Sequence, residues 1–260
     1  MEILKIIGIY VLGYFIGSIP FSQILTSLLA PGKKLSNEGT GHVGGSNAYL
    51  TAGPFAGITA TLLDLSKPMI AMIAAYYLLG WNFRDDLWLM LIITIFVKAG
   101  HDFPVWLKFK GGKGLSTASG AMLFFGPFYW LAVHSLNALT LFQANKNKGL
   151  KLGNLIMIAI IPLEGVLWFL EMYIPWGAFG FKLSSYFGPA ITNTWPLFWF
   201  SWVWAILYFF RRLYGCGLMD DLKQGISPWK AIMLRGIFET YPRESKYRNP
   251  GKDIQMGEDD

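Results

Sequence analysis

The sequence predicts an all-α integral membrane protein, a seven-helix bundle with its N-terminus outside and its C-terminus in the cytoplasm, and three observations carry that reading. Of its 260 residues 53% are apolar, 17% aromatic and only 15% charged, a balance too greasy for an ordinary water-soluble domain. Several apolar segments are long enough to cross a bilayer as helices, which takes roughly 20 residues and satisfies every backbone polar group within the span. Lys33, Lys34, Lys108, Lys110, Lys113, Lys146, Lys148, Lys151, Arg211 and Arg212 fall on one side of these segments, against Arg84 and Lys182 on the other. The side richer in Lys and Arg is the cytoplasmic one.

The first span covers residues 5 to 30 and contains Gly17-Ser-Ile-Pro-Phe21. Pro20 lacks an N–H, so the helix kinks there and a neighbour must satisfy the freed carbonyl; Ser18 and Ser22 are expected to face the bundle. No small-residue cleavage site follows this span, which argues against a removable signal peptide. The second span, about 53 to 80, carries Asp64 and Lys67 at i and i+3 on one helix face. Charges at membrane depth are costly and turn inward, so the pair is either a structural ion pair or part of a polar site. A short turn, Trp81 to Asp86, leads to a third span at 87 to 100 with Lys98 near its end. Residues 115 to 143 are broken by Gly126-Pro127, and the first piece is short enough that it must tuck into the bundle, which Ser116, Thr117, Ala118, Ser119 and Gly120 permit. A sixth span runs from about 152 to 174 and a seventh from 195 to 210, before Arg211 and Arg212. Residues 1–212 thus form one membrane domain and 213–260 a tail suited to the inner membrane surface or to disorder.

Two loops carry the chemistry. Gly100 to Gly114 holds His101, Lys108, Lys110 and Lys113 among Gly111, Gly112 and Gly114. Backbone N–H groups in such a loop can form a concave anion site, and lysines beside it suit phosphate; the plainer alternative is an interfacial turn obeying the positive-inside rule. The second loop places Gly39, Gly41, Gly44 and Gly45 among Thr40, His42, Ser46 and Asn47, which again reads as a cradle or as a flexible connection. His101 is suited to acid–base work or to bracing its loop, His42 has the better access to a substrate, and His134 beside Trp130 and Leu131 reads as an interior residue. A single Cys216 excludes an internal disulfide, no His/Cys cluster suggests a metal, and no cofactor is expected. The net charge of +6 reflects loops and tail, so nucleic acid is not an expected partner.

Four stretches resemble the bacterial membrane acyl-phosphate:glycerol-3-phosphate acyltransferases of the PlsY type. Gly17-Ser-Ile-Pro-Phe21 is similar to that family's first-helix motif, and Gly39-Thr-Gly-His-Val-Gly-Gly-Ser-Asn47 to its GSGNxGATN loop. Leu63-Asp-Leu-Ser-Lys67 resembles its LDLxKG, and Gly100 to Gly114 matches GHxFPVxLxFKGGKG nearly throughout. The resemblance implies a seven-helix bundle in the cell's cytoplasmic membrane with a cytoplasmic active site. It implies transfer of a fatty acyl group from acyl phosphate to the 1-hydroxyl of glycerol 3-phosphate, giving lysophosphatidic acid for phospholipid synthesis. Its partners would be those two substrates, the bilayer and other phospholipid-synthesis enzymes. Phosphate is already a good leaving group, so the reaction needs positioning and charge stabilisation, without a serine or cysteine nucleophile. Thr40, His42, His101 and Lys110 are the expected catalytic residues, and Ser18, Gly39, Gly41, Gly44, Ser46, Asn47, Asp64, Lys67, Gly111, Gly112, Lys113 and Gly114 the expected substrate contacts.

The chain departs from the family pattern at defined points. Thr40 and His42 stand where the family has serine and asparagine, and Leu50 where it has an active-site arginine. Lys151 and Asn154 replace two serines of its SLAS stretch. The terminal HRxNIxRLLxG motif, which supplies a catalytic histidine and an asparagine, has no counterpart in Phe209-Phe-Arg-Arg-Leu-Tyr-Gly215. Lys151, Arg211 or Arg212 would then stand in for missing phosphate ligands. A second class of function fits the same departures: a catalytically silent relative that binds a lipid precursor or partners lipid enzymes. A transporter is the third, though no internal repeat supports it.

Overall fold

A computed structural model describes residues 2–38, 41–82, 85–125, 162–163, 166, 195–215, 218–223 and 225–233. Among these residues the fold is helical throughout, with no strand. The helices are α1 (Glu2–Ser18), α2 (Phe21–Leu29), α3 (Gly45–Ala52), α4 (Pro54–Leu79), α5 (Leu87–Asp102), α6 (Leu115–Phe125), α7 (Trp195–Gly215), α8 (Leu218–Lys223) and α9 (Pro228–Ala231), with single 3-10 turns at Leu35–Asn37 and Val105–Leu107. Among the described residues, three stretches are long and apolar enough to cross a membrane: Ile3–Leu29, Pro54–Leu79 and Leu87–Leu107. All of the expected sixth span except residues 162–163 and 166, the break at Gly126-Pro127, His134, Lys151, Asn154 and the charged positions Arg84, Lys146, Lys148 and Lys182 lie outside the described residues.

Where a kink was expected at Pro20, the structure has a break: α1 stops at Ser18 and α2 starts at Phe21. Ser18 and Ser22 turn inward as expected, both buried. The α1 helix packs on α5 through small residues. A β-carbon on Gly17 would strike the Val97 carbonyl, and one on Gly100 the Tyr14 carbonyl, so the two backbones lie in contact. The short helix α6 is indeed tucked in, with Gly120 against the Leu65 carbonyl and Pro68 of α4. Met72, Met90, Leu91, Ile93, Val97, Ala121, Leu197, Phe200 and Trp204 fill the core between α4, α5, α6 and α7.

Two boundaries differ from expectation. Helix α5 continues to Asp102, because Lys98 and Asp102 pair at i, i+4 across its last turn. Helix α7 continues through Arg211 and Arg212 to Gly215, since basic residues suit the negative end of a helix dipole. The first part of the tail folds back on this end, with Ile226 and Ala231 packed on Leu213 and Phe209.

Candidate active site

The break at Ile19-Pro20 leaves backbone carbonyls without helical partners, and α4 supplies the missing donor. Lys67 Nζ donates to the Gly17 carbonyl at 3.0 Å and the Ile19 carbonyl at 2.7 Å, and it lies 2.6 Å from Asp64 Oδ1. An ammonium has three donors, so all three are committed inside the protein. His101 Nδ1 is 3.6 Å from the same Asp64 oxygen, which ties the end of α5 to the middle of α4.

The lysine–glycine loop returns against the end of α5. The N–H of Gly111 donates to the Asp102 carbonyl and that of Gly112 to the His101 carbonyl, at 3.2 and 3.1 Å. These two amides therefore close the helix end rather than facing a ligand, which departs from the cradle expected of them. Lys108 and Phe109 adopt left-handed backbone angles, φ 51° and 63°, an uncommon conformation for residues with a β-carbon that the surrounding contacts must hold. Tyr14 donates its hydroxyl to the Phe103 carbonyl at 2.8 Å. Lys98, ion-paired with Asp102 and almost fully buried, also donates to the Lys113 carbonyl at 3.1 Å. Gly114 has φ 73°, and a β-carbon there would meet Lys98 Nζ at 2.6 Å and Asp102 Oδ1 at 2.7 Å. Lys108 and Lys110 are exposed and Lys113 is half-buried.

The other glycine loop is organised by Asn47. Its side-chain amide donates to the carbonyls of Leu35, Glu38 and His42 at 2.9, 3.0 and 2.9 Å, and the side chain is buried. Gln23 of α2 fixes the start of this loop by accepting the Leu35 N–H and donating to the Lys33 carbonyl. Gly41 and Ser46 are exposed, and His42 and Gly44 half-buried. Gly39 and Thr40 lie outside the described residues. Leu50, where the resemblance expects an arginine, is 66% exposed.

The two loops touch. A β-carbon on Gly112 would meet the Val43 carbonyl at 2.6 Å and the edge of the His101 ring, so only glycine permits this approach. Beside the contact lies a narrow cleft with room for about one water molecule, lined by Gly17, Ser18, Ser22, Val43, Asp64, His101, Pro104 and Gly111 among others. Residues from all four sequence motifs meet there. Ser18 Oγ is fully buried and has no hydrogen-bond partner among the described residues, an arrangement that native proteins rarely leave unfilled.

Of the residues singled out from sequence, Ser18, Asp64, His101 and Gly111 line this cleft. Gly112, Lys113, Gly114 and Lys110 sit on the loop that borders it. Sequence reasoning missed the Lys98–Asp102 pair as a support for that loop, although the i, i+4 spacing was there to be read. It also missed what Arg211 does. That guanidinium reaches across from α7 to carbonyls of Asp102, Gly111 and Gly112, and no local pattern announces a contact about a hundred residues away in the chain.

Comparison with known proteins shows the family and the fold. The family model for glycerol-3-phosphate acyltransferase matches residues 7–213. Glycerol-3-phosphate acyltransferase 1 of Dehalococcoides mccartyi is 40% identical over 163 residues, 61% of this chain and 74% of that protein. The glycerol-3-phosphate acyltransferase of Thermotoga petrophila is 36% identical over 157 residues, 60% of this chain and 76% of its own. Two crystal structures of PlsY, an integral membrane glycerol 3-phosphate acyltransferase, share the fold. The glycerol 3-phosphate form aligns with TM-score 0.59 at 21% identity over 85% of this chain and 94% of that one. The lysophosphatidic acid form aligns with TM-score 0.57 at 18% identity over 88% and 98%.

Proposed function

The chain belongs to the glycerol-3-phosphate acyltransferase family, and on that footing we propose that it transfers a fatty acyl group from acyl phosphate to the 1-hydroxyl of glycerol 3-phosphate. The acceptor oxygen attacks the acyl carbonyl carbon, the C–O bond to phosphate breaks, and inorganic phosphate leaves with lysophosphatidic acid as the product. The observation that carries the reading is the meeting of all four family-like motifs at one cleft, with a serine hydroxyl inside it that has no partner among the described residues.

Asp64, which lines the cleft, is paired with Lys67, so the cleft suits an uncharged hydroxyl of the acceptor. A hydroxyl both donates and accepts, and Ser18 offers that to a substrate hydroxyl. The phosphates belong outside the cleft, along the loop where Lys110 is exposed and Lys113 half-buried. There the N–H of Gly114 has no protein partner among the described residues and opens the first turn of α6; helix N-termini favour anions. His42 and Thr40, on the opposing loop, are the candidates to handle the acceptor proton. His101 braces the site through Asp64 and Gly112. Seven spans with both loops on the cytoplasmic face complete the proposal, supported by the excess of Lys and Arg on that side.

The test is direct. Purified protein in lipid nanodiscs should release phosphate from palmitoyl phosphate only when glycerol 3-phosphate is present, with lysophosphatidic acid detected by mass spectrometry. Release that ignores the acceptor, or no release, would instead favour a silent relative that only binds lipid precursors.

A further inference from the structure

We propose that the turn Phe103–Phe109 is a membrane anchor, an aromatic ledge seated in the anionic headgroup layer at the end of α5, which holds the lysine–glycine loop at that depth. The proposal concerns a lipid-facing surface and stands apart from the acyl-transfer reading. Phe103, Val105, Trp106 and Phe109 are all exposed, the last two at 62% and 58%. Lys108 and Lys110 beside them are exposed too, and no acidic residue occurs between Phe103 and Gly114. Aromatic rings interleaved with lysines that reach into water are the composition of a membrane–water interface, and an anionic leaflet attracts the ammonium groups.

The length of α5 says why the turn belongs there. Its 16 residues, Leu87–Asp102, rise about 24 Å, short of the roughly 30 Å of a hydrocarbon core. Asp85 and Asp86 bound the helix at its other end, so the missing thickness is made up past Asp102, where the apolar stretch continues to Leu107. Trp106 meets Phe15 of α1, with ring centres 6.4 Å apart. Ile7, Val11 and Phe15 are exposed one turn apart along that helix, within a stretch, Ile3–Leu29, that is itself able to cross a membrane. The ledge is thus continuous with the lipid-facing side of a span.

The turn is also rigid. The amides of Leu107 and Phe109 both donate to the Pro104 carbonyl, at 3.1 and 3.0 Å, and that of Lys110 donates to the Leu107 carbonyl at 3.1 Å. Tyr14 holds the Phe103 carbonyl, and the Arg211 guanidinium lies 4.8 Å from the centre of the Phe103 ring. The left-handed angles at Lys108 and Phe109 are a conformation that glycine or asparagine adopts more readily, and strain of this kind collects where a site uses it. A phenylalanine ring displayed there gains nothing from water and gains from burial in lipid. Lys110 follows it directly, so the depth of the ring sets the height of the loop over the bilayer.

The experiment places nitroxide labels on the full-length chain in nanodiscs, through Phe109→Cys, Trp106→Cys and, as a control at an exposed position, Asn37→Cys. Each carries Cys216→Ser, so that one thiol remains. Collision with oxygen, which concentrates in lipid, against collision with a water-soluble nickel chelate gives the depth of each label. In discs containing phosphatidylglycerol the labels at Trp106 and Phe109 should lie about 5–10 Å inside the headgroup boundary, with the control in water. In discs of phosphatidylcholine alone they should lie shallower; equal depth would overturn the role given to the lysines. Labels as open to the nickel chelate as the control would overturn the proposal and leave the ledge in water. Labels shielded from both reagents would overturn it in favour of a cover of protein. Since a label disturbs a strained turn, a second measurement uses unlabelled protein: lipid brominated near the headgroup should quench the tryptophan emission that Trp106→Phe removes, and no quenching of that difference would refute the contact.

Discussion

Replacing Lys67 by methionine tests whether the ammonium holds the fold or the substrate. Lys67→Met removes the partner of Asp64, a carboxylate that is 1% exposed, and frees the Gly17 and Ile19 carbonyls at the break between α1 and α2. Removing one member of a buried ion pair costs about 3–5 kcal/mol, because the other charge is left uncompensated. For a chain of this size each kcal/mol is worth about 2–4 °C in melting temperature, so a fall on the order of 10 °C is expected. Adding Asp64→Leu removes the stranded charge and should restore about half of the loss or more, the remainder being the two carbonyls. The assay is thermal unfolding in one detergent, followed by tryptophan fluorescence, with KM measured on the fraction that stays folded. A single variant within about 2 °C of wild type, or a double variant no better than the single, would refute this account. A selective rise in KM without loss of stability would return Lys67 to the list of substrate contacts.

Other perturbations separate support from contact. Ser18→Ala removes a buried hydroxyl that has no partner among the described residues, so stability should hold or rise while KM for glycerol 3-phosphate increases by roughly fivefold or more, the worth of one hydrogen bond; an unchanged KM would place the acceptor elsewhere. Lys110→Ala alters an exposed side chain, so melting should be unaffected while kcat/KM drops by about tenfold or more, as expected on losing a charged hydrogen bond. Gly114→Ala forces a β-carbon onto Lys98 and Asp102 at φ 73°; activity should be lost and stability reduced by about 1–3 kcal/mol, and a fully active variant would contradict the loop geometry.

Much of this site was legible in the sequence because its signals are local. Asp64 and Lys67 at i, i+3 announce a pair on one helix face, Pro20 announces carbonyls in need of a donor, and clustered glycines announce close backbone approach. That the first two are one feature was not legible, since only packing brings Lys67 to Gly17 and Ile19. The glycine pattern likewise could not tell which way the amides of Gly111 and Gly112 turn. Unpaired carbonyls at the end of α5 compete for them and win. Arg211 was noticed for its charge as one of three alternative stand-ins for phosphate ligands, with Lys151 and Arg212, whereas its Nε and one Nη donate to three carbonyls. Recognising that requires knowing that the end of α7 reaches the loop.

The pairing of Asp64, in the cleft lining, with Lys67 bears on how the protein could be blocked. With Lys67 saturated and facing Asp64, a competitor gains nothing by carrying an anion inward, and would meet a carboxylate if it did. An effective inhibitor would instead press a neutral polyol against Ser18 and leave its acidic group outside, where Lys110 stands in solvent.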